Sequence, residues 1–330
     1  MKSIASFPWK PIEPRPAEIQ SARMQFIELN FPEIAGELGG GRSRMEWVRW
    51  IHDRLFIDGW QIPAVRSELT TSRPTVQVIA VTSGKGGVGK TTFAVNLAAA
   101  FAQGGKRVLL FDADLGMANV HVFTGVNPTA TLLDVIDGRM KLESILVPGP
   151  AGMQIACGAS GVGRLADLEG RLIEMLGRQL LRVASEFDVL VIDTGAGVAP
   201  SVMNFLALAH HAVVIATPNL ASTLDAYGVI KVAHEQLLKT QLHLLVNEVD
   251  DETQAAAVTS RVAGCASRFL QISLGDLGFL RRDAAFEDAC QKRRPIVLAQ
   301  PGCEHAQRIA SIAAQLAATP IPKPSASVAA

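Results

Sequence analysis

The stretch from Val81 to Phe101, VTSGKGGVGKTTFAVNLAAAF, constrains this chain more than any other. A short apolar run, VQVIAVT, leads into Gly84, Gly86, Gly87 and Gly89, and an alanine-rich helical run follows and stops at Gly104 and Gly105. Residues Gly84 to Thr91 read GKGGVGKT. They fit the pattern G-x-x-x-x-G-K-S/T in the strand–loop–helix setting that pattern requires. Glycines let backbone N–H groups come close to phosphate oxygens, and the start of a helix adds the positive end of its dipole. Lys90 then reaches the β- and γ-phosphates, and the Thr91 hydroxyl is placed for Mg²⁺. The expected cradle is Gly84, Gly86, Gly87, Val88, Gly89, Lys90, Thr91 and Thr92.

From Val76 onward the pattern alternates. RVLLFDAD, DVLVIDTG, AVVIATP, QLHLLVNEV and FLQISL read as buried strands, separated by helix-like sequence. That alternation predicts an α/β fold, a P-loop NTPase whose mostly parallel sheet carries helices on both faces. Residues 75–317 form this domain. Residues 1–74 differ and read as a small N-terminal appendage. They hold all four tryptophans, a proline-punctuated linker (FPWKPIEPRP), a glycine break (ELGGGRSR) and a helical segment (RMEWVRWIHDRLF). Residues 318–330 read as a disordered tail.

Apolar residues make up 48% of the 330, enough for a sizeable core, and the formal net charge is +0. A field extending over the whole molecule toward nucleic acid or acidic membrane is not indicated. The basic clusters Arg281–Arg282 and Lys292–Arg294 leave DNA binding open but not favoured, since such clusters are more often a solvated face. The four cysteines show no C-x-x-C spacing, which argues against a zinc site or an iron–sulfur carrier. No apolar run reaches the roughly 18 to 20 residues of a membrane span. The start of the chain lacks the apolar stretch of a secretion signal. A soluble cytoplasmic chain is the expectation.

Lys85 is the unusual part of the loop. It lies too near the backbone turn to fold back easily on its own γ-phosphate, and it is better placed to reach a second subunit's nucleotide. KGGVGKTT resembles, at every position, the deviant Walker motif K-G-G-x-G-K-S/T of the MinD/ParA ATPase family. The resemblance implies ATP and Mg²⁺ as ligands and a homodimer formed on ATP binding, in which Lys85 acts in trans. A positive group of that kind is worth on the order of 10³ to 10⁵ in rate. Asp112 and Asp114, in LLFDADLGMANVH, follow a buried strand and so face the ligand crevice. By the same resemblance Asp114 orients the attacking water and Asp112 lies near the Mg²⁺ shell. Asp193, after four apolar residues in FDVLVIDTGAGV, reads as the Walker B carboxylate and holds Mg²⁺ through water. Asn247 ends a later strand. Its amide offers a donor and an acceptor, which suits the adenine edge.

The resemblance covers about residues 76 to 317. DADLGMANVHVFTGV, DVLVIDTGAGV and STLDAYGVIKV look like the FlhG/FleN branch, the MinD-like ATPases that restrict flagellar number. That branch implies a slow, partner-stimulated ATPase, with a flagellar regulator or an SRP-like GTPase as partner. The implied location is the cytoplasm, with the inner membrane or cell pole as a peripheral site. The alternative is a ParA-like ATPase that partitions or positions DNA or another cargo. Three segments depart from the branch. An N-terminal DQAxxLR motif is not recognisable, Arg281 stands where the family usually has proline, and the helical segment CEHAQRIASIAAQLA lacks the bulky apolar and basic residues of a membrane-targeting helix. Membrane contact is therefore expected to be weak or absent.

Overall fold

The computed structural model describes residues 76–159, 170–237 and 240–320. The expected appendage at 1–74 and the tail beyond 320 lie outside these residues. Eight strands form one sheet: β1 (Gln77–Ser83), β2 (Val108–Ala113), β3 (Val147–Pro148), β4 (Gln154–Ala156), β5 (Val189–Ala196), β6 (His211–Ala216), β7 (Gln241–Val249) and β8 (Gly275–Arg281). Their order across the sheet is β3-β4-β2-β5-β1-β6-β7-β8. Every neighbouring pair is parallel except β3–β4. The helices are α1 (Lys90–Gln103), α2 (Val120–Thr124), α3 (Leu132–Ile136), α4 (Gly170–Ala184), α5 (Pro200–Leu208), α6 (Leu220–Gln236), α7 (Glu252–Cys265), α8 (Ala284–Gln291), α9 (Ile296–Ala299) and α10 (Glu304–Ala318).

The inner strands read as unbroken apolar runs because helices cover both faces. Every residue of β1, β2 and β6 is buried. On one face Phe93 and Leu97 of α1 pack among Ile79, Leu110, Val191 and Val213 of the sheet and Ile309 and Ile312 of α10. On the other, Phe111 of β2 meets Phe205 of α5 with ring centroids 5.5 Å apart. The alanines of α1 let its backbone approach the sheet closely, and Gly104 ends it by donating its N–H to Ala100.

The C-terminal helix α10 belongs to this core. His305, Ala306, Ile309, Ile312, Ala313 and Leu316 are buried, a spacing of one helical stripe. Burying an isoleucine or leucine side chain contributes about 1.5 to 3 kcal/mol, so this stripe is committed to the domain. Three polar side chains of the same helix bind β8. His305 Nε2 lies 2.7 Å from the Arg281 carbonyl, Arg308 Nη2 2.9 Å from that of Leu277, and Gln315 Nε2 3.0 Å from that of Asp276.

One strand expectation is corrected. FLQISL (269–274) is not extended. The chain leaves α7 through a widened helical turn, Ala266–Leu270, and Gln271 takes a left-handed conformation with φ 57°. The strand follows directly, as β8. It carries Gly278 at φ 71°, and its register against β7 shifts twice. Those irregularities break the two-residue alternation by which a strand is recognised.

The chain crosses from β1 past β5 to β2, while β6 lies on the other side of β1. The carboxyl end of β1 is thus a switch point, where parallel sheets open a crevice for ligands. The ends of β1, β2, β5, β7 and β8 carry the segments that follow.

Candidate nucleotide-binding site

The loop between β1 and α1 has the form of an anion cradle. Gly87 and Gly89 have φ of 78° and 89°, a region costly for any residue with a Cβ. A Cβ on Gly86 or Gly87 would project into open space, whereas one on Gly89 would collide with the Asn247 amide. Gly84 has no room either, because it rests on the backbone of Asp225 in α6. The base of the loop is tied down: Ser83 Oγ donates to the Lys85 carbonyl at 2.7 Å, and the Gly197 N–H donates to the Ser83 carbonyl at 2.8 Å. Val88 is buried, and its carbonyl accepts from Asn247 Nδ2 at 2.9 Å. One hydrogen bond therefore joins the end of β7 to the loop.

Lys90 begins α1 and is only 8% exposed. Burial pulls its pKa down, and the charges of Asp193 and Asp114 oppose that pull. Lys85 is exposed and is not among the residues lining the cavity.

Three carboxylates gather at the ends of β2 and β5. Asp112 and Asp193 are partners in the parallel register and are both fully buried. Asp112 is used by its own chain: Oδ1 accepts from the Asp114 N–H at 3.3 Å and Oδ2 from the Val120 N–H at 3.1 Å. It does not line the cavity; it holds the loop that carries Asp114. Asp114 does line the cavity, and its Oδ1 accepts from the Met117 N–H at 3.1 Å. Neither Asp193 oxygen has a partner at hydrogen-bonding distance, although the nearby Thr91 hydroxyl favours the ionised form. Burial raises the Asp193 carboxyl despite Lys90 and Thr91, and burial together with the Asp193 charge raises Asp112 well above the carboxylate range. Two orphaned, buried carboxylate oxygens beside a threonine hydroxyl suit a hydrated Mg²⁺. Among the described residues no three His, Cys, Asp or Glu side chains cluster to hold a metal alone. A cation here would depend on phosphate oxygens and water.

The cavity measures about 800 Å³. Gly86, Gly87, Gly89, Lys90, Thr91, Thr92, Asp114 and Asn247 line it, so the structure brings together most residues expected from sequence. It adds a wall that sequence reading did not place at the nucleotide: Glu248, then Arg281 ending β8, Arg282 and Asp283 after it, and Phe286, Glu287, Cys290 and Gln291 on α8. The usable signal was position, since these residues follow the carboxyl end of a parallel strand. It was hidden because that strand was placed one segment too early.

A glycine cradle, a buried lysine and carboxylates on adjacent strand ends define a P-loop nucleotide-binding protein. Residues 79–316 match the CobQ/CobB/MinD/ParA nucleotide binding domain, and the chain belongs to that family. The antiactivator FleN of Pseudomonas aeruginosa is 36% identical over 247 residues, 75% of this chain and 88% of FleN. The flagellum site-determining protein YlxH of Helicobacter pylori is 31% identical over 251 residues, 72% of this chain and 81% of YlxH. Among solved structures, the MinD cell division protein of Aquifex aeolicus matches with TM-score 0.61 and 26% identity, covering 75% of this chain and 99% of MinD. The expected MinD/ParA membership and P-loop fold are borne out. Among the described residues no helix is long and apolar enough to cross a membrane.

Proposed function

We propose that this protein is an ATP-dependent dimerising switch ATPase that controls flagellar number or assembly. The observation that carries the dimer is the placement of Lys85, which is exposed on the loop and outside the cavity lining while Lys90 is buried within it. A second lysine in that position has work to do only across a subunit boundary. The flagellar assignment rests on the likeness to FleN and YlxH over most of the ATPase domain.

In this reading the backbone of Gly84–Gly89 cradles the phosphates, and Lys90 binds the β- and γ-oxygens. Thr91 and Asp193 would hold a hydrated Mg²⁺, which when bound would supply positive charge against the phosphoryl oxygens. Asp114 orients the attacking water. Asp112 acts beside it, fixing the Asp114 loop next to the metal shell. Lys85 of the second subunit approaches the γ-phosphate, and Asn247 contacts the base edge. Hydrolysis is slow until a partner, a flagellar regulator or an SRP-like GTPase, engages the dimer. The protein works in the cytoplasm and reaches the membrane or pole through that partner, because the apolar stripe of α10 is already buried.

Light scattering tests the core of this proposal. An Asp114→Ala variant with ATP and Mg²⁺ is expected at twice the monomer mass, and the same variant without nucleotide at the monomer mass. A monomer under both conditions would remove the dimer from the mechanism.

A further inference from the structure

We propose that His305 is a positioning residue for nucleotide binding: from outside the cavity it holds the wall made by Arg281, Asp283 and α8. The inference rests on the nucleotide reading above and extends it to the C-terminal helix.

The phosphate end of the cavity is set by the glycine loop and Asp114. The wall after β8 is left for the nucleoside, and it is built from Arg281, Asp283, Phe286, Glu287 and Cys290. His305 is not part of that lining. It is the second residue of α10 and 2% exposed. Its ring nevertheless touches the wall in three places. Nε2 lies 2.7 Å from the Arg281 carbonyl, Nδ1 lies 3.2 Å from Asp283 Oδ2, and the ring centroid lies 5.1 Å from that of Phe286 at an interplanar angle of 31°.

The chemistry of these contacts fixes the ring. A carbonyl only accepts, so Nε2 carries a hydrogen and donates it to Arg281. Nδ1 then faces Asp283 Oδ2 at 3.2 Å, a close approach without hydrogen-bond geometry. The other oxygen of Asp283 accepts from the Ala285 N–H at 2.8 Å, which makes Asp283 the N-cap of α8. A single imidazole thus hydrogen-bonds the last residue of β8 and packs against both the cap that aims α8 and the first aromatic side chain on the cavity face of α8. The neighbouring Glu304 adds a contact to Arg281, 3.4 Å from Nε. Small displacements of groups that position a ligand are costly, so loosening this buried anchor should be read at the nucleotide.

The test uses the full chain, direct titration with fluorescent ATP and ADP in Mg²⁺, and steady-state hydrolysis. Arg308→Ala is the control, since Arg308 sits on the same helix, clamps β8 at Leu277 and does not line the cavity. His305→Ala is expected to weaken nucleotide binding about tenfold, the scale of a lost hydrogen bond to a charged group, with kcat changed by less than about twofold. Arg308→Ala is expected to lower the thermal midpoint while leaving affinity unchanged. Equal affinities for the two alanine variants would overturn the inference. If His305→Ala does not fold, His305→Gln retains a donor for the Arg281 carbonyl without bridging to Asp283; an affinity unchanged from wild type would then overturn it. Wild-type protein that binds neither nucleotide would instead overturn the nucleotide reading, a result distinct from wild-type binding that His305 does not affect.

Discussion

The Asn247 amide donates to the Val88 carbonyl across 2.9 Å and thereby fastens the end of β7 to the phosphate loop. The contact is close enough that a side chain on Gly89 would strike the same amide. Asn247→Ala should therefore act twice. It removes a buried hydrogen bond worth about 0.5 to 1.5 kcal/mol, and it frees a loop that must be preorganised to bind phosphate. A lower thermal midpoint and weaker binding of ADP as well as ATP are expected, by melting and titration. Full ADP affinity in the variant would show that the tie has no part in binding.

Lys85 and Lys90 should separate cleanly. Lys85→Ala is expected to keep nucleotide affinity within about threefold while hydrolysis falls by a factor on the order of 10³. Lys90→Ala should lose affinity itself, because its ammonium is inside the cavity. Titration and phosphate release on the same preparations give both quantities. Normal hydrolysis by Lys85→Ala would end the trans role.

Asp193 gives a pH prediction. Burial raises its folded-state pKa above the usual 3.8. Between 3.8 and about 7 the folded protein binds a proton at Asp193 that the unfolded chain does not, so this group's contribution to stability falls as pH rises through that window. Asp112, raised chiefly by burial, has the same sign. Asp193→Asn should therefore flatten the decline and melt above the wild type at neutral pH without nucleotide. It should also lose Mg²⁺-dependent hydrolysis. Calorimetry across the acid-to-neutral range checks the first outcome as the difference between variant and wild type, because the buried His211 and His243, whose pKa values burial lowers, push stability the other way in both proteins; parallel pH profiles for Asp193→Asn and wild type would refute it.

Removal of residues 1–74 should leave ATP affinity within about threefold, because every proposed ligand contact lies at or beyond Gly84. Loss of the proposed interaction with a flagellar partner is expected, since the sequence of that segment carries Trp47, Trp50 and Trp60 together with Arg44, Arg49 and Arg54. Loss of folding on deletion would place the tryptophans in the ATPase core instead.

The phosphate loop, Asp114, Asp193 and Asn247 were legible because each couples a chemical type to the carboxyl end of an apolar strand. Such runs remain unbroken where helices cover both faces of a sheet. The far wall was not legible. A left-handed Gly278 and two register shifts erase the periodicity of β8, and nothing in AAFEDACQ reveals that one side of that helix faces a cavity. Asp112 was recognisable as a carboxylate at the crevice. Its use as an acceptor for Val120, eight residues along, depends on how the chain turns back after β2.

Among the described residues both margins of the sheet are closed to further strands. At one, the side chains of α10 already occupy carbonyls of β8; at the other, β3 is two residues long and ends in Pro148, which has no N–H to offer. Pairing of two copies through either of these margins is therefore disfavoured. In the proposed dimer the loop-bearing face, where the cavity opens, would both take up the ligand and govern whether two molecules meet.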